Sequence, residues 1–230
     1  MKTLITAGLL FSFALVAQAG TIVAWDVLEG NVTGSLAAGT IAENLDTGTG
    51  LNALSRTGVT YFNRNLSYAS QNWNTTDTMS VNDQYIAFSV SAAAGYELTL
   101  ESLDYCIDGG NLAPGTGVWG YTTDGGTSWT FSDTFNIRSN GDPVQMETWD
   151  FEDFTVSSGA TVEFRFWSYG TTNIAGDPDA SLATKPVAVD NITDSNDLIL
   201  NGTVSTIPEV SSSLWLVLAG VVLVFLRRRS

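Results

Sequence analysis

The chain has 230 residues, a net charge of −15, no histidine and one cysteine. The missing histidine removes Ser-His-Asp and Cys-His catalysis, histidine zinc sites and histidine general bases together, and a lone Cys106 excludes an intramolecular disulfide. Between Thr21 and Ile207 there are 23 acidic side chains against only Arg56, Arg64, Arg138, Arg165 and Lys185, a net −18; such a surface repels phosphate backbones and anionic lipid, so no nucleic-acid partner is expected.

At the start, Lys2 precedes the apolar run LITAGLLFSFALVA, and Ala17-Gln18-Ala19 supplies the small-x-small pattern that signal peptidase reads. Residues 1–19 therefore read as a secretory signal peptide, cut before Gly20. A retained anchor fits less well, because the run is short and ends without a stop-transfer cluster. Residues 20–206 are left as the ectodomain, a size that suits one hydrophobic core. Its acidity either keeps an exported protein soluble or serves divalent cations.

From Gly20 onward the pattern has period two and is punctuated by glycine, asparagine and aspartate, which predicts strands and turns. Trp25 opens this region, with Asp26 and Glu29 just beyond it. Thr33 to Ser80 is rich in Asn, Thr, Gly and Ser and reads as long loops over a sheet edge, with Trp73 inside the polar segment Gln71 to Thr76. Strands follow at Tyr85 to Val90 and at Tyr96 to Ile107, where Leu98, Leu100, Leu103 and Tyr105 alternate and a bulge near Ser102 shifts the face. Cys106 falls within this alternation and reads as a buried, inert thiol rather than a nucleophile.

Val118 to Thr122 and Ser128 to Phe131 flank an Asp-Gly-Gly turn. Glu147, Asp150, Glu152 and Asp153 form a carboxylate run; a glycosidase needs two carboxyls about 5–10 Å apart, but in so acidic a chain they read as solvated loop charges. Thr161 to Tyr169 is a long strand with Val162, Phe164, Phe166 and Ser168 on one face, and Val187 to Asn191 and Leu198 to Val204 are the last two. No helical stripe appears outside the termini. The expected fold is all-β: a single jelly-roll-like β-sandwich, flanked by an N-terminal signal helix and a C-terminal apolar helix.

Residues 207–230 run Ile207-Pro208-Glu209-Val210, three serines, the apolar run 214–226, then Arg227, Arg228 and Arg229 as a stop-transfer cluster. Thirteen apolar residues rise about 20 Å as a helix, a marginal span of an inner membrane. Under the positive-inside rule the arginines stay cytoplasmic and the ectodomain lies outside. This tail resembles the PEP-CTERM sorting signal of Gram-negative bacteria, matched at Pro208 and Glu209, with Val210 at the position of the second proline. The resemblance implies processing by an exosortase, a membrane transpeptidase, and association with exopolysaccharide or biofilm matrix. A tail too short for a comfortable permanent span favours a processed signal, which leaves the protein at the cell surface or in the extracellular matrix.

Two further resemblances concern the ectodomain. Thr122-Thr123-Asp124-Gly125-Gly126-Thr127-Ser128-Trp129 looks like the Asp-box of sialidases, a structural hairpin in which Asp124 accepts backbone N–H groups, Gly126 supplies positive φ and Trp129 packs over the corner. Val187-Ala188-Val189-Asp190-Asn191-Ile192 resembles the closing strand of carbohydrate-binding jelly rolls, where such an aspartate helps hold a structural calcium. Asp26 and Glu29 are then the expected partners of Asp190, against the simpler reading of an Asp-Asn turn. Trp73 and Tyr169 are candidates for stacking on sugar rings.

These readings converge on an exported surface or matrix protein, with no enzymatic activity, that associates with extracellular polysaccharide. The alternative is a carbohydrate-binding module acting by itself. A glycoside hydrolase working through Glu147 or Asp150 comes third.

Overall fold

A computed structural model describes residues 20–27, 32–178, 182–192 and 196–208. The signal-cleavage residues Ala17 and Ala19, the calcium candidate Glu29, and Glu209, Val210, Arg227, Arg228 and Arg229 lie outside them, so both predicted terminal helices do too. Among the described residues no helix is long and apolar enough to cross a membrane.

The chain begins with β1 (Gly20–Trp25), β2 (Leu36–Ala37), β3 (Thr40–Ile41), β4 (Ala53–Thr57), β5 (Thr60–Tyr61) and β6 (Ser67–Gln71). The middle holds β7 (Tyr85–Ser91), β8 (Tyr96–Tyr105), β9 (Ile107–Gly109), β10 (Pro114–Thr122), β11 (Thr130–Phe131), β12 (Phe135–Asn136) and β13 (Arg138–Ser139). It ends with β14 (Glu147–Val156), β15 (Thr161–Asn173), β16 (Val187–Asp190) and β17 (Leu198–Thr206). The stretch read as loops between Thr33 and Ser80 thus carries five short strands, β2 to β6. Their apolar positions, such as Leu54 and Tyr68, are too sparse for a period to show.

Three sheets result: a five-stranded one ordered β14-β8-β17-β1-β3, a seven-stranded one ordered β11-β10-β15-β7-β4-β2 with β12 also on β10, and a five-stranded one ordered β13-β9-β16-β6-β5. The first two face each other as an all-β sandwich. Ile22, Leu98, Leu100 and Leu200 from one meet Ile86, Phe88, Trp119, Phe164 and Phe166 from the other in a single core. Phe88 is central to it, 4.6 Å from the Trp25 ring centroid and stacked on Phe164 at 5.0 Å. Each such buried apolar side chain stabilises the fold by about 1.5–3 kcal/mol before its ordering entropy is subtracted.

Glu101 is skipped by both neighbours of β8. Asp150 and Asn201 pair with Ser102, whereas the next pairs, Phe154 and Gly202, fall on Leu100. That bulge turns Leu103 and Tyr105 to the core side after Leu98 and Leu100, the shift of face that the alternation around Ser102 predicts.

Cys106 joins two sheets. Its N–H donates to the Asp197 carbonyl and its own carbonyl accepts from the Asp190 N–H, so the strand leaves the first sheet at Tyr105 and resumes in the third as β9. Burial and then the neighbouring Asp190 and Asp108 push the thiol up to about 12, which keeps it protonated and unreactive.

Candidate functional site

Strand β14 is an edge of the first sheet, and its solvent-facing Thr148, Asp150 and Glu152 blunt that edge with polar groups. Its inward residues alternate with them: Trp149 packs against Phe151 at 5.1 Å and Tyr121 at 5.7 Å. Pairing sets Glu147 opposite Tyr105, and Tyr105 in turn packs against Trp119 at 5.7 Å and Phe135 at 5.2 Å. Facing this edge, residues 132–135 cross from β11 to β12 on the other sheet.

A cleft of about 330 Å³ opens between the two, walled by Tyr105, Phe135 and Trp149 and rimmed by Asp133, Thr148 and Asp150. Gly117 makes room for one of its walls, since a Cβ there would stand 2.6 Å from the Phe135 ring.

Tyr105 is 6% exposed and Trp149 9%. Neither the Tyr105 hydroxyl nor the Trp149 indole N–H has a hydrogen-bond partner among the described residues, and neither atom is shut off from solvent. Burial, then the nearby Glu147 carboxylate, raises the Tyr105 phenol to about 12, and it stays a donor at any physiological pH. Glu147 is ion-paired with Arg138. Asp133 and Asp150 are exposed, and neither carboxylate has a partner among the described residues.

Aromatic side chains beside exposed carboxylates suit a sugar ring, whose faces are apolar and whose edges are hydroxyls. The same cleft is poorly built for bond cleavage. Glu147 is engaged by a guanidinium, and Asp150, Glu152 and Asp153 stand in solvent.

Trp73 requires a correction. It is 1% exposed, edge-on to Phe166 at 5.6 Å, with its indole N–H donating to the Ser70 carbonyl at 2.7 Å. It is core and cannot stack on a sugar. Tyr169 is half-buried on the outer face of the seven-stranded sheet, packed with Tyr85, Val118 and Trp167.

The hairpin has the geometry of its motif. Asp124 accepts from the N–H groups of Thr127 and Ser128, both at 3.0 Å, and from the Thr122 and Ser128 hydroxyls. These bonds, led by the Ser128 hydroxyl, hold its carboxyl well below the usual range. Gly126 has φ +92°, and the Trp129 indole N–H donates to its carbonyl.

Asp190 is paired with an arginine. Arg64 grips Asp108 with two bonds of 2.5 and 2.6 Å and reaches Asp190 at 3.0 Å, so the position a metal would take at Asp190 holds a guanidinium. The nearby Asp197 has both oxygens occupied by the N–H groups of Val27 and Ile192. Among the described residues no group of three acidic, cysteine or histidine side chains could hold a metal ion; Glu29, the third expected calcium ligand, lies outside them.

No protein-family model matches the chain, and no curated protein does. Among solved structures it is similar to a mutant family 29 carbohydrate-binding module, with a TM-score of 0.36, 10% identity, and coverage of 81% of this chain and 92% of that one. It is also similar to an N-terminal tandem of family 22 carbohydrate-binding modules from Paenibacillus barcinonensis, at TM-score 0.39 and 9% identity over 86% of this chain and 50% of that one. A family 4 carbohydrate-binding module gives TM-score 0.32 and 13% identity over 67% of this chain and 91% of that one. The chain spans half the length of the tandem; all three are loose likenesses of shape.

Proposed function

We propose that the protein is a non-catalytic carbohydrate-binding module of jelly-roll type, exported from the cell and acting on extracellular polysaccharide. The observation that carries the reading is the cleft between β14 and the β11–β12 connection, where Tyr105, Phe135 and Trp149 lie beside the exposed carboxylates of Asp133 and Asp150. Export, sorting by an exosortase and residence in a biofilm matrix rest on the sequence of residues 1–19 and 207–230. In this reading the sorting tail delivers the module and the cleft retains polysaccharide. A purely structural matrix role would leave the cleft without a ligand.

A glycan array with the full chain in mild detergent tests the proposal. Binding to defined glycans that is lost in Trp149→Ala supports it, with Trp149→Phe as the variant that keeps the packing and removes the N–H. Silence across a broad array, with a normal circular dichroism spectrum, overturns it.

A further inference from the structure

A second recess, sharing no residue with the cleft, opens where β10 and β15 part. Pro114 pairs with Asn173 and Thr116 with Tyr169, so Gly115 by itself stands opposite Gly170, Thr171 and Thr172. A bulge of this kind bends one strand away from its partner and is common beside functional sites. Gly115 is required there, since a Cβ would stand 2.9 Å from the Asn173 carbonyl oxygen. The space has a volume of about 250 Å³ and is walled by Thr116, Asn136, Thr172 and Asn173 together with Ile137 and Ile174.

Asn173 closes the turn that runs to Asp177. Its backbone N–H donates to the Asp177 carbonyl and its carbonyl accepts from the Gly176 N–H, both at 2.9 Å. Its side-chain Oδ1 accepts the Asp177 N–H at 2.8 Å. That last bond fixes which way the amide faces, because turning it over would set two donors against each other. Nδ2 is then left buried and without a partner among the described residues, on a side chain 3% exposed. A buried amide donor is normally paired, and this one belongs to a wall of the recess.

No charged side chain lines the recess, in a stretch that carries 23 acidic ones. The side chains of Thr116, Asn136 and Thr172 make no hydrogen bond among the described residues, so hydroxyls and an amide offer donors and acceptors beside two isoleucines. A carboxylate would meet no guanidinium here and an ammonium no carboxylate, and either would be desolvated unpaired. An uncharged ring with hydroxyl edges and C–H faces matches the whole lining. The volume, below the ~300–1,000 Å³ of most ligand sites, suits one ring rather than a run of them.

We propose that this recess is a second carbohydrate site, which takes one uncharged hexopyranose ring at the end of a glycan, a sugar oxygen accepting the Asn173 Nδ2–H. It goes beyond the proposed function, because it neither uses the cleft nor depends on it.

Nitrogen–proton NMR of the full chain in mild detergent tests this, with the Asn173 side-chain amide pair as reporter. The probes are the methyl glycosides of glucose, galactose and mannose, with glucuronate and glucosamine as charged counterparts. At least one methyl glycoside should shift the pair saturably at millimolar concentration, and the two charged sugars should not. Thr116→Val, which replaces an unbonded hydroxyl by a methyl group and leaves the Asn173 turn intact, should weaken that binding by about three- to tenfold. Asn173→Asp keeps the acceptor for the Asp177 N–H and removes the donor. It should abolish binding, read at the backbone amides of Gly115 and Gly176, with circular dichroism checking its fold.

If no methyl glycoside moves the Asn173 pair, the buried donor meets water only and the proposal is overturned. It is overturned equally if the charged sugars bind as well as the neutral ones, or if Thr116→Val leaves the affinity unchanged. Loss of binding in Trp149→Phe in that last case assigns the sugar to the cleft and leaves the proposed function standing.

Discussion

Asp197 accepts the backbone N–H of Val27 at 2.7 Å, across 170 residues of sequence. Its other oxygen accepts the Ile192 N–H at 2.6 Å, and the side chain is wholly buried. The carboxylate therefore ties the end of β1 to the approach to β17, where the two strands pair. Asp197→Ala strands two N–H groups and should lower unfolding free energy by about 2–5 kcal/mol in denaturant titrations. Asp197→Asn should recover part of it, because an amide presents one acceptor oxygen where the carboxylate presents two.

Burial raises Asp197 to about 6. It also raises Asp190, with Asp108 adding to the effect against the opposing Arg64. A raised carboxyl holds its proton in the folded chain at pH values where the unfolded chain has released it. Stability from this source is thus full below the unfolded value of about 4 and is lost as pH rises through the folded values. The melting temperature should fall between about pH 4 and pH 7. General repulsion among the acidic side chains acts in the same direction, so the decisive measurement is a comparison with Asp190→Asn, which leaves Arg64 and Asp108 as a neutral pair and should flatten the slope.

Arg64 is the only cation shared by Asp108 and Asp190 among the described residues. Arg64→Met leaves two buried carboxylates without it and should destabilise the protein by about 3–5 kcal/mol, read from urea midpoints at neutral pH. Arg64→Lys should rescue this incompletely, because a single ammonium cannot reproduce the fork on Asp108.

Trp73 and Trp149 should separate stability from binding. Trp73→Ala empties a core position and should lower unfolding free energy by about 3–5 kcal/mol while leaving glycan affinity unchanged in the folded fraction. Trp149→Phe should show the reverse balance, with weaker glycan binding and a smaller stability loss.

Gly117→Ala places a methyl group against the Phe135 ring. Overpacking of this kind should destabilise the fold by about 1–3 kcal/mol and displace the aromatic wall of the cleft. Thermal unfolding and glycan titration of the same variant would report both effects.

Much of the sandwich was legible in the chain. Period two located most of the long strands, the face change at Ser102 marked the bulge, and the Asp124 hairpin showed in its own eight residues because every bond it makes is local; β14 was missed, because its acidic outward residues read as loop charges. The cleft was not legible. Nothing local in the sequence connects Tyr105, Phe135 and Trp149, or Arg64 with Asp108 and Asp190. Trp73 misled for a related reason: its polar neighbours in sequence say nothing of Phe166, which covers it.

The sequence by itself determined the acidity, the absence of histidine chemistry and the alternation that makes an all-β chain, since each is a property of composition or of residues a few positions apart. Only the tertiary structure decided which charges neutralise one another and which stay free. Period two says which face of a strand a residue occupies but not which strand lies beside it. Arg64 meets Asp190 across 126 positions and Glu147 is claimed by Arg138, while Asp133 and Asp150 are left at a rim. That allocation follows from strand order and from β14 being an edge, and it turns a general acidity into a located candidate site.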